Sequence, residues 1–147
     1  MFSEEYVQSV YTILAEGKSS AETTGLTKRL QVRGHNQRKN PNPLARIGAL
    51  RVASALGSPA GLVITDAFCS DASVDVRRFV LAQAEAARTD GLPILRRLTE
   101  DEDEKIAAHA LGLLRTWVDR QSVALCRRLL ESPHPKVRAA AVDLLGH

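Results

Sequence analysis

The sequence predicts an all-α fold, a short solenoid of stacked helix pairs, and three observations carry that prediction. The C-terminal two thirds of the chain repeats itself about every 31 residues, a period at which helical repeat units stack. Leu92-Pro93-Ile94-Leu95-Arg96-Arg97-Leu98-Thr99-Glu100 falls on Val123-Ala124-Leu125-Cys126-Arg127-Arg128-Leu129-Leu130-Glu131 when shifted by that interval. Each such unit is one supersecondary piece that buries its apolar face only against its neighbours. Apolar content is 44%, so a core exists, while aromatics are only 4%, so that core must be built from Leu, Val, Ile and Ala. Small aliphatic side chains suit close-packed helices better than a β-sandwich. At 147 residues, the chain is long enough to bury a working core.

A helix is expected over residues 3–17. Ser3 can cap it, Glu4 and Glu5 suit the positive end of its dipole, and Gly17 can stop it. Phe2, Tyr6, Val10 and Leu14 make its apolar stripe, widened by Val7 and Tyr11. Ser19 with Glu22 reads as a capping box that opens a second helix ending near Gly34, with Leu26, Leu30 and Val32 as its sparse apolar positions. Polar, Pro-interrupted residues 36–42 read as a basic linker. Asn42 then offers an N-cap, with Pro43 at the first helical position. The expected organisation is therefore an N-terminal helical pair (1–35), the linker (36–42) and the repeat array (43–147).

Within the array, first helices are expected over 43–56, 73–87, 103–118 and 135–145, and second helices over 59–69, 91–99 and 121–131. Val76, Ile106 and Val137 share one repeat position. So do Val80, Ala110 and Ala141, and so do Ala84, Leu114 and Leu145. In the second helices, Leu62, Leu92 and Val123 correspond, as do Phe68, Leu98 and Leu129, and their i, i+3, i+6 spacing is expected to keep them on one helix face, in the core. Pro59 and Pro93 are read as standing at helix starts. After the last repeat, one first helix is left with its outer side uncovered.

Pro133-His134-Pro135-Lys136-Val137-Arg138-Ala139-Ala140-Ala141-Val142-Asp143-Leu144-Leu145-Gly146 resembles the first helix of a HEAT-like repeat of the kind found in phycobilisome lyase-type proteins. Val76-Arg77 repeats its Val-Arg step, and Arg46 follows Ala45 at the same place. The unit at 102–132 departs, because Ala107 follows Ile106 and the ladder arginine is missing. The resemblance covers about residues 42 to 147. It implies a scaffold whose second helices line a concave face. It is nearly silent on function, since one fold hosts many.

Charge is unevenly spread. Residues 18–51 carry Lys18, Lys28, Arg29, Arg33, Arg38, Lys39, Arg46 and Arg51 against Glu22, while the rest of the array is close to neutral. Lys28, Arg29, Arg33, Arg38 and Lys39 are the candidate phosphate contacts of a nucleic-acid-binding reading. No aromatics interleave them, which argues against a stacking platform for single strands. Solvated linker charge is the plainer account.

Arg96-Arg97 and Arg127-Arg128 occupy equivalent positions and make rungs on the second helices. They read either as a partner-binding ladder or as exposed ion pairs with Glu100 and Glu131, four residues after Arg96 and Arg127. The run Glu100-Asp101-Glu102-Asp103-Glu104 lacks the central glycine of a Ca²⁺ loop and is expected to supply negative charge to a helix N-terminus. His109 falls among apolar positions and reads as a partly buried core histidine. Cys69 and Cys126 read as buried thiols. No metal-ligand spacing, nucleophile motif or phosphate loop stands out, so no catalytic residue, metal or cofactor is expected.

The expectation is a non-enzymatic scaffold that binds another protein, one with an acidic segment, through Arg96, Arg97, Arg127 and Arg128. The alternative is nucleic-acid binding through residues 28–51 and the same arginines. The acidic N-terminus, with no apolar stretch after it, points to a cytoplasmic protein without an export signal or membrane span.

Overall fold

The computed structural model describes residues 20–117 and 122–146, with side chains from Gly25 onward. Among the described residues there are eight α-helices and no strand. They are α1 (Ser20–Asn36), α2 (Pro43–Leu56), α3 (Leu62–Asp66), α4 (Val74–Ala86), α5 (Leu92–Leu98), α6 (Glu104–Thr116), α7 (Ser122–Leu129) and α8 (Pro135–Leu145). The all-α class and the packed helix pairs of a short HEAT-like solenoid hold. The helix expected over 3–17, the Ser19–Glu22 capping box, Lys18 and His147 lie outside the described residues.

The first helices begin and end within two residues of the expected positions because their caps are legible. Asn42 accepts from the Leu44 N–H at 3.0 Å, with Pro43 at the first turn of α2. Asp103 caps α6 by accepting from the Ile106 N–H at 3.1 Å, which is the role the acidic run is expected to play. The second helices are shorter than expected. Around α3 the chain runs through i→i+3 bonds, Leu62 N–H to Pro59 at 3.1 Å and Phe68 N–H to Thr65 at 3.1 Å. Such turns carry the same apolar spacing as an α-helix but not its hydrogen bonds. Pro59 accordingly stands in the turn before α3 rather than at its first position.

One turn recurs before every first helix. Asn40 Oδ1, Asp71 Oδ1, Asp101 Oδ1 and Ser132 Oγ each accept from the N–H two residues on, at 2.9, 2.9, 2.8 and 3.2 Å. The backbone carbonyl of the same four residues also finds a side-chain donor. Nη1 of Arg46, Arg77 and Arg138, each six residues downstream, donates to the carbonyls of Asn40, Asp71 and Ser132 at 2.7 Å in all three. At the turn before α6, where Ala107 holds the arginine's place, His134 Nε2 lies 3.0 Å from the Asp101 carbonyl and donates to it. The turn keeps its donor although the sequence position that supplies it elsewhere is empty of one.

The contacts group into two compact units that divide between Gln83 and Ala84. In the first, α1 packs on α2 and α3, and α2 on α3. A Cβ on Gly61 would stand 1.9 Å from the Ala53 carbonyl oxygen, so only glycine admits this approach of α3 to α2. Gln83 of α4 donates to the Leu50 carbonyl of α2 and receives the Thr65 hydroxyl of α3 at 2.7 Å. Arg46 completes this unit's polar interior, as described below. In the second unit α5 packs on α6, α6 on α8, and α7 on α8. Gly91 repeats the role of Gly61, with its would-be Cβ 2.1 Å from the Ala84 carbonyl, and the repeat-equivalent Ser122 is fully buried.

The core rows test the register. Val76, Ile106, Val137, Val80, Ala110, Ala141, Phe68, Leu98 and Leu129 are all buried, as expected. Fully burying a Leu, Phe or Val side chain stabilises by about 1.5–3 kcal/mol, so these rows outweigh any single polar contact. Three expectations are corrected. Leu62 and Leu92 are half-buried and Val123 is exposed. Six residues turn a helix through about 600°, so Leu92 points about 120° away from Leu98 and cannot share its face. The positions that do share it, Leu95 and Cys126, are buried in their place. Leu145 is exposed although its equivalents Ala84 and Leu114 are buried, and Val32 of α1 is exposed while Leu30 carries the contact.

Candidate interaction surface

α7 is the most clearly two-faced of the second helices. Ser122, Leu125, Cys126 and Leu129 are buried, which anchors the helix against α8. The opposite side leaves Val123, Arg127 and Leu130 exposed, and the Leu130 N–H bonds to the Cys126 carbonyl at 3.1 Å, so the helical path continues through it. Their i, i+4, i+7 spacing places two apolar side chains and an arginine on one stripe. Arg128 is exposed beside it. On α5 the buried residues are Ile94, Leu95 and Leu98, with Arg97 exposed and Arg96 half-buried. Of the four rungs read from the sequence, three are therefore exposed. Val123 and Leu130 are the additions: the apolar spacing that assigned Val123 to the core equally marks an outward stripe once Leu125, Cys126 and Leu129 define the inner face.

The ion pairing differs from simple neighbours along one helix. Arg128 Nη2 meets Glu100 Oε1 at 2.5 Å, across 28 residues, with both side chains more than half exposed. Glu100 thus ties the turn after α5 to α7 of the following repeat. A cavity of about 450 Å³ opens beside this pair, lined by Glu102, Glu131, Leu129 and His134 among others. Its carboxylates outnumber its single arginine.

Within the basic segment, Lys28, Arg29, Arg33, Arg38 and Lys39 are exposed. Gln37–Lys39 form one turn of 3-10 helix, closed by the Asn40 N–H on the Gln37 carbonyl at 2.9 Å. Arg46, counted with them in the sequence, does not belong with them. It is 8% exposed, and its Nε and Nη2 grip the Asp71 carboxylate at 2.8 and 3.0 Å while Nη1 holds the Asn40 carbonyl. It is a bidentate link between successive repeats rather than surface charge. The repeat equivalence of Arg46 and Arg77 is the signal that identifies it.

His109 is exposed, not a core histidine. Its side chain is 51% exposed, with Nε2 3.2 Å from Glu85 Oε2. The inner face of α6 is taken by Ile106, Ala107, Ala110, Leu111 and Leu114, and residue 109 lies outside it. Cys69 and Cys126 are buried and unbridged. Among the described residues no three His, Cys, Asp or Glu side chains gather as a metal group would require, and no helix is long and apolar enough to cross a membrane.

Residues 91–147 match the family model of HEAT repeats. The match spans the helices α5 to α8 and agrees with their packing as repeat pairs. No curated protein and no solved structure matches the chain.

Proposed function

We propose that the chain is a non-enzymatic helical-repeat scaffold that binds another protein along the exposed side of its second helices. HEAT repeats are in general protein-interaction scaffolds, which supports the class. The observation that carries the choice of surface is the outward stripe Val123, Arg127 and Leu130 on α7. Apolar side chains beside arginines are the mixture that interfaces favour, with arginine over-represented among the residues that dominate binding energy. Arg97 and Arg127, with Arg96 and Arg128, would receive carboxylates of an acidic segment of the partner. In arrays of this kind the second helices form the concave side. The reading places the protein in the cytoplasm. It takes the phycobilisome lyase-type likeness as a likeness of scaffold, without chromophore chemistry.

The test uses the full chain as bait in extract of its native host, beside an Arg97→Glu/Arg127→Glu variant of unchanged helix content. A defined protein held by the wild type and released by the variant, with affinity lost by more than about 1 kcal/mol, is the expected result. A bait that instead retains nucleic acid, with affinity falling steeply in salt and on reversal of Lys28, Arg29, Arg38 and Lys39, would replace this reading with the phosphate-binding one.

A further inference from the structure

The outer face of α8 is apolar and exposed. In α6, Leu111 and Leu114 are buried at 1% and 0%, and α8 packs on that helix. The residues at the same repeat positions in α8, Val142 and Leu145, are 57% and 37% exposed. Ala139, one turn before Val142, is exposed as well. Apolar positions that are buried on α6 therefore lie open on α8.

We propose that this face pairs with the same face of a second copy of the chain, the two α8 helices running antiparallel about a two-fold axis. Self-complementarity is the argument. An antiparallel pair of helices sets Ala139 of one copy against Val142 of the other, and the small alanine lets the backbones approach. The positions flanking that seam on one side are Lys136 and Asp143, seven residues apart and both exposed. In an antiparallel pair this side meets itself, so Lys136 of each copy lies beside Asp143 of the other, and two opposite-charge contacts form. On the other side, Arg138 and Leu145 meet their counterparts. Arg138 keeps Nη1 on the Ser132 carbonyl, and its aliphatic stem packs on Leu145 of the second copy. Antiparallel helices also oppose their dipoles favourably. One helix face per copy is a small interface, so the dimer is weak and reversible.

Sedimentation equilibrium of the full chain over a concentration series tests this directly. A monomer–dimer equilibrium is expected. Val142→Glu and Asp143→Lys should each raise its dissociation constant about tenfold or more, with helix content unchanged, since both side chains are exposed. Lys136→Asp should act like Asp143→Lys, because each variant alone sets like charges against one another. Mixing the Asp143→Lys chain with the Lys136→Asp chain restores opposite charges at both contacts, and the mixture should dimerise as the wild type does. A chain that stays monomeric at every concentration overturns the proposal. So does a dimer indifferent to Asp143→Lys, or a mixture that associates no better than its components.

Discussion

The turn before α2 and the turn before α6 face the same obligation and meet it differently. Each presents a backbone carbonyl, that of Asn40 or Asp101, that needs a donor at the helix entrance. Before α2 the donor is Arg46, on the helix that the turn opens, and the same guanidinium reaches on to grip Asp71 of the next turn. Before α6 the arginine is replaced by Ala107, and the donor comes from His134 in the following turn. Across its four turns this chain keeps the interaction where it does not keep the residue. One repeat can lose its ladder arginine if its neighbour returns a donor to the same carbonyl. The difference between the two turns shows what Arg46 does beyond the bond it shares with the histidine: it adds a nearly buried ion pair between repeats.

The largest effect should come from the richer turn. Arg46→Ala leaves the Asp71 carboxylate, whose side chain is 6% exposed, without its cation. Breaking a buried pair from one side costs about 3–5 kcal/mol, most of it the stranded charge. Urea unfolding should show a loss of about 3 kcal/mol or more. A loss under about 1 kcal/mol would mean that water reaches Asp71 and that the two turns are alike in strength.

His134→Ala removes the substitute donor. A side-chain hydrogen bond to a carbonyl contributes about 1 kcal/mol net, and that is the loss expected in the same unfolding experiment. The ratio between the two losses measures what the inter-repeat charge pair adds over the shared hydrogen bond. Equal losses would remove the distinction between the turns.

These particular residues also show what sequence reasoning can reach. The first helices were legible because their signals are local: Asn42-Pro43, Asp103 and the Val-Arg steps act within four residues of one another. The core rows at Val76, Val80 and Phe68 with their equivalents were legible because repetition confirms each through the others. The row Leu62, Leu92 and Val123 was not, since equivalence between repeats says that positions share an environment without saying which environment it is. Arg46 was visible twice, as a ladder residue and as part of a basic run, and only the placement of Asp71 decides between them. The donor role of His134 depends on a contact across 33 residues, which no spacing rule encodes. On the interaction surface, the rungs Arg97, Arg127 and Arg128 were legible as exposed positions. The pairing of Arg128 with Glu100 was hidden, because it joins different repeats where helical spacing suggests a partner four residues away.

A double-mutant cycle sharpens the comparison further. Ala107 is fully buried, so Ala107→Arg alone should destabilise by overpacking, by about 1–3 kcal/mol. With His134→Ala in place, the Asp101 carbonyl has lost the histidine's bond, and the new guanidinium can reach it as Arg46 reaches that of Asn40. The two changes together should then cost less than their sum by about 0.5 kcal/mol or more. Strict additivity would mean that the arginine and the histidine serve unrelated sites.

The smallest effect is expected where the second unit has its own cross-repeat ion pair. Arg128 and Glu100 join successive repeats as Arg46 and Asp71 do, and their contact is the shorter of the two. Their side chains are 69% and 51% exposed, against 10% and 6% for the other pair. In water the attraction is offset by solvation and by the ordering of two long side chains, so distance alone does not set its worth. Glu100→Gln should cost about 0.2–0.5 kcal/mol, and the difference should shrink as salt is added. The same added salt should leave the Arg46→Ala loss nearly unchanged, because a buried pair is screened much less. If instead Glu100→Gln cost as much as Arg46→Ala, burial would not be what separates the two units, and the Glu100–Arg128 contact would count among the structural links of the fold rather than its solvated surface.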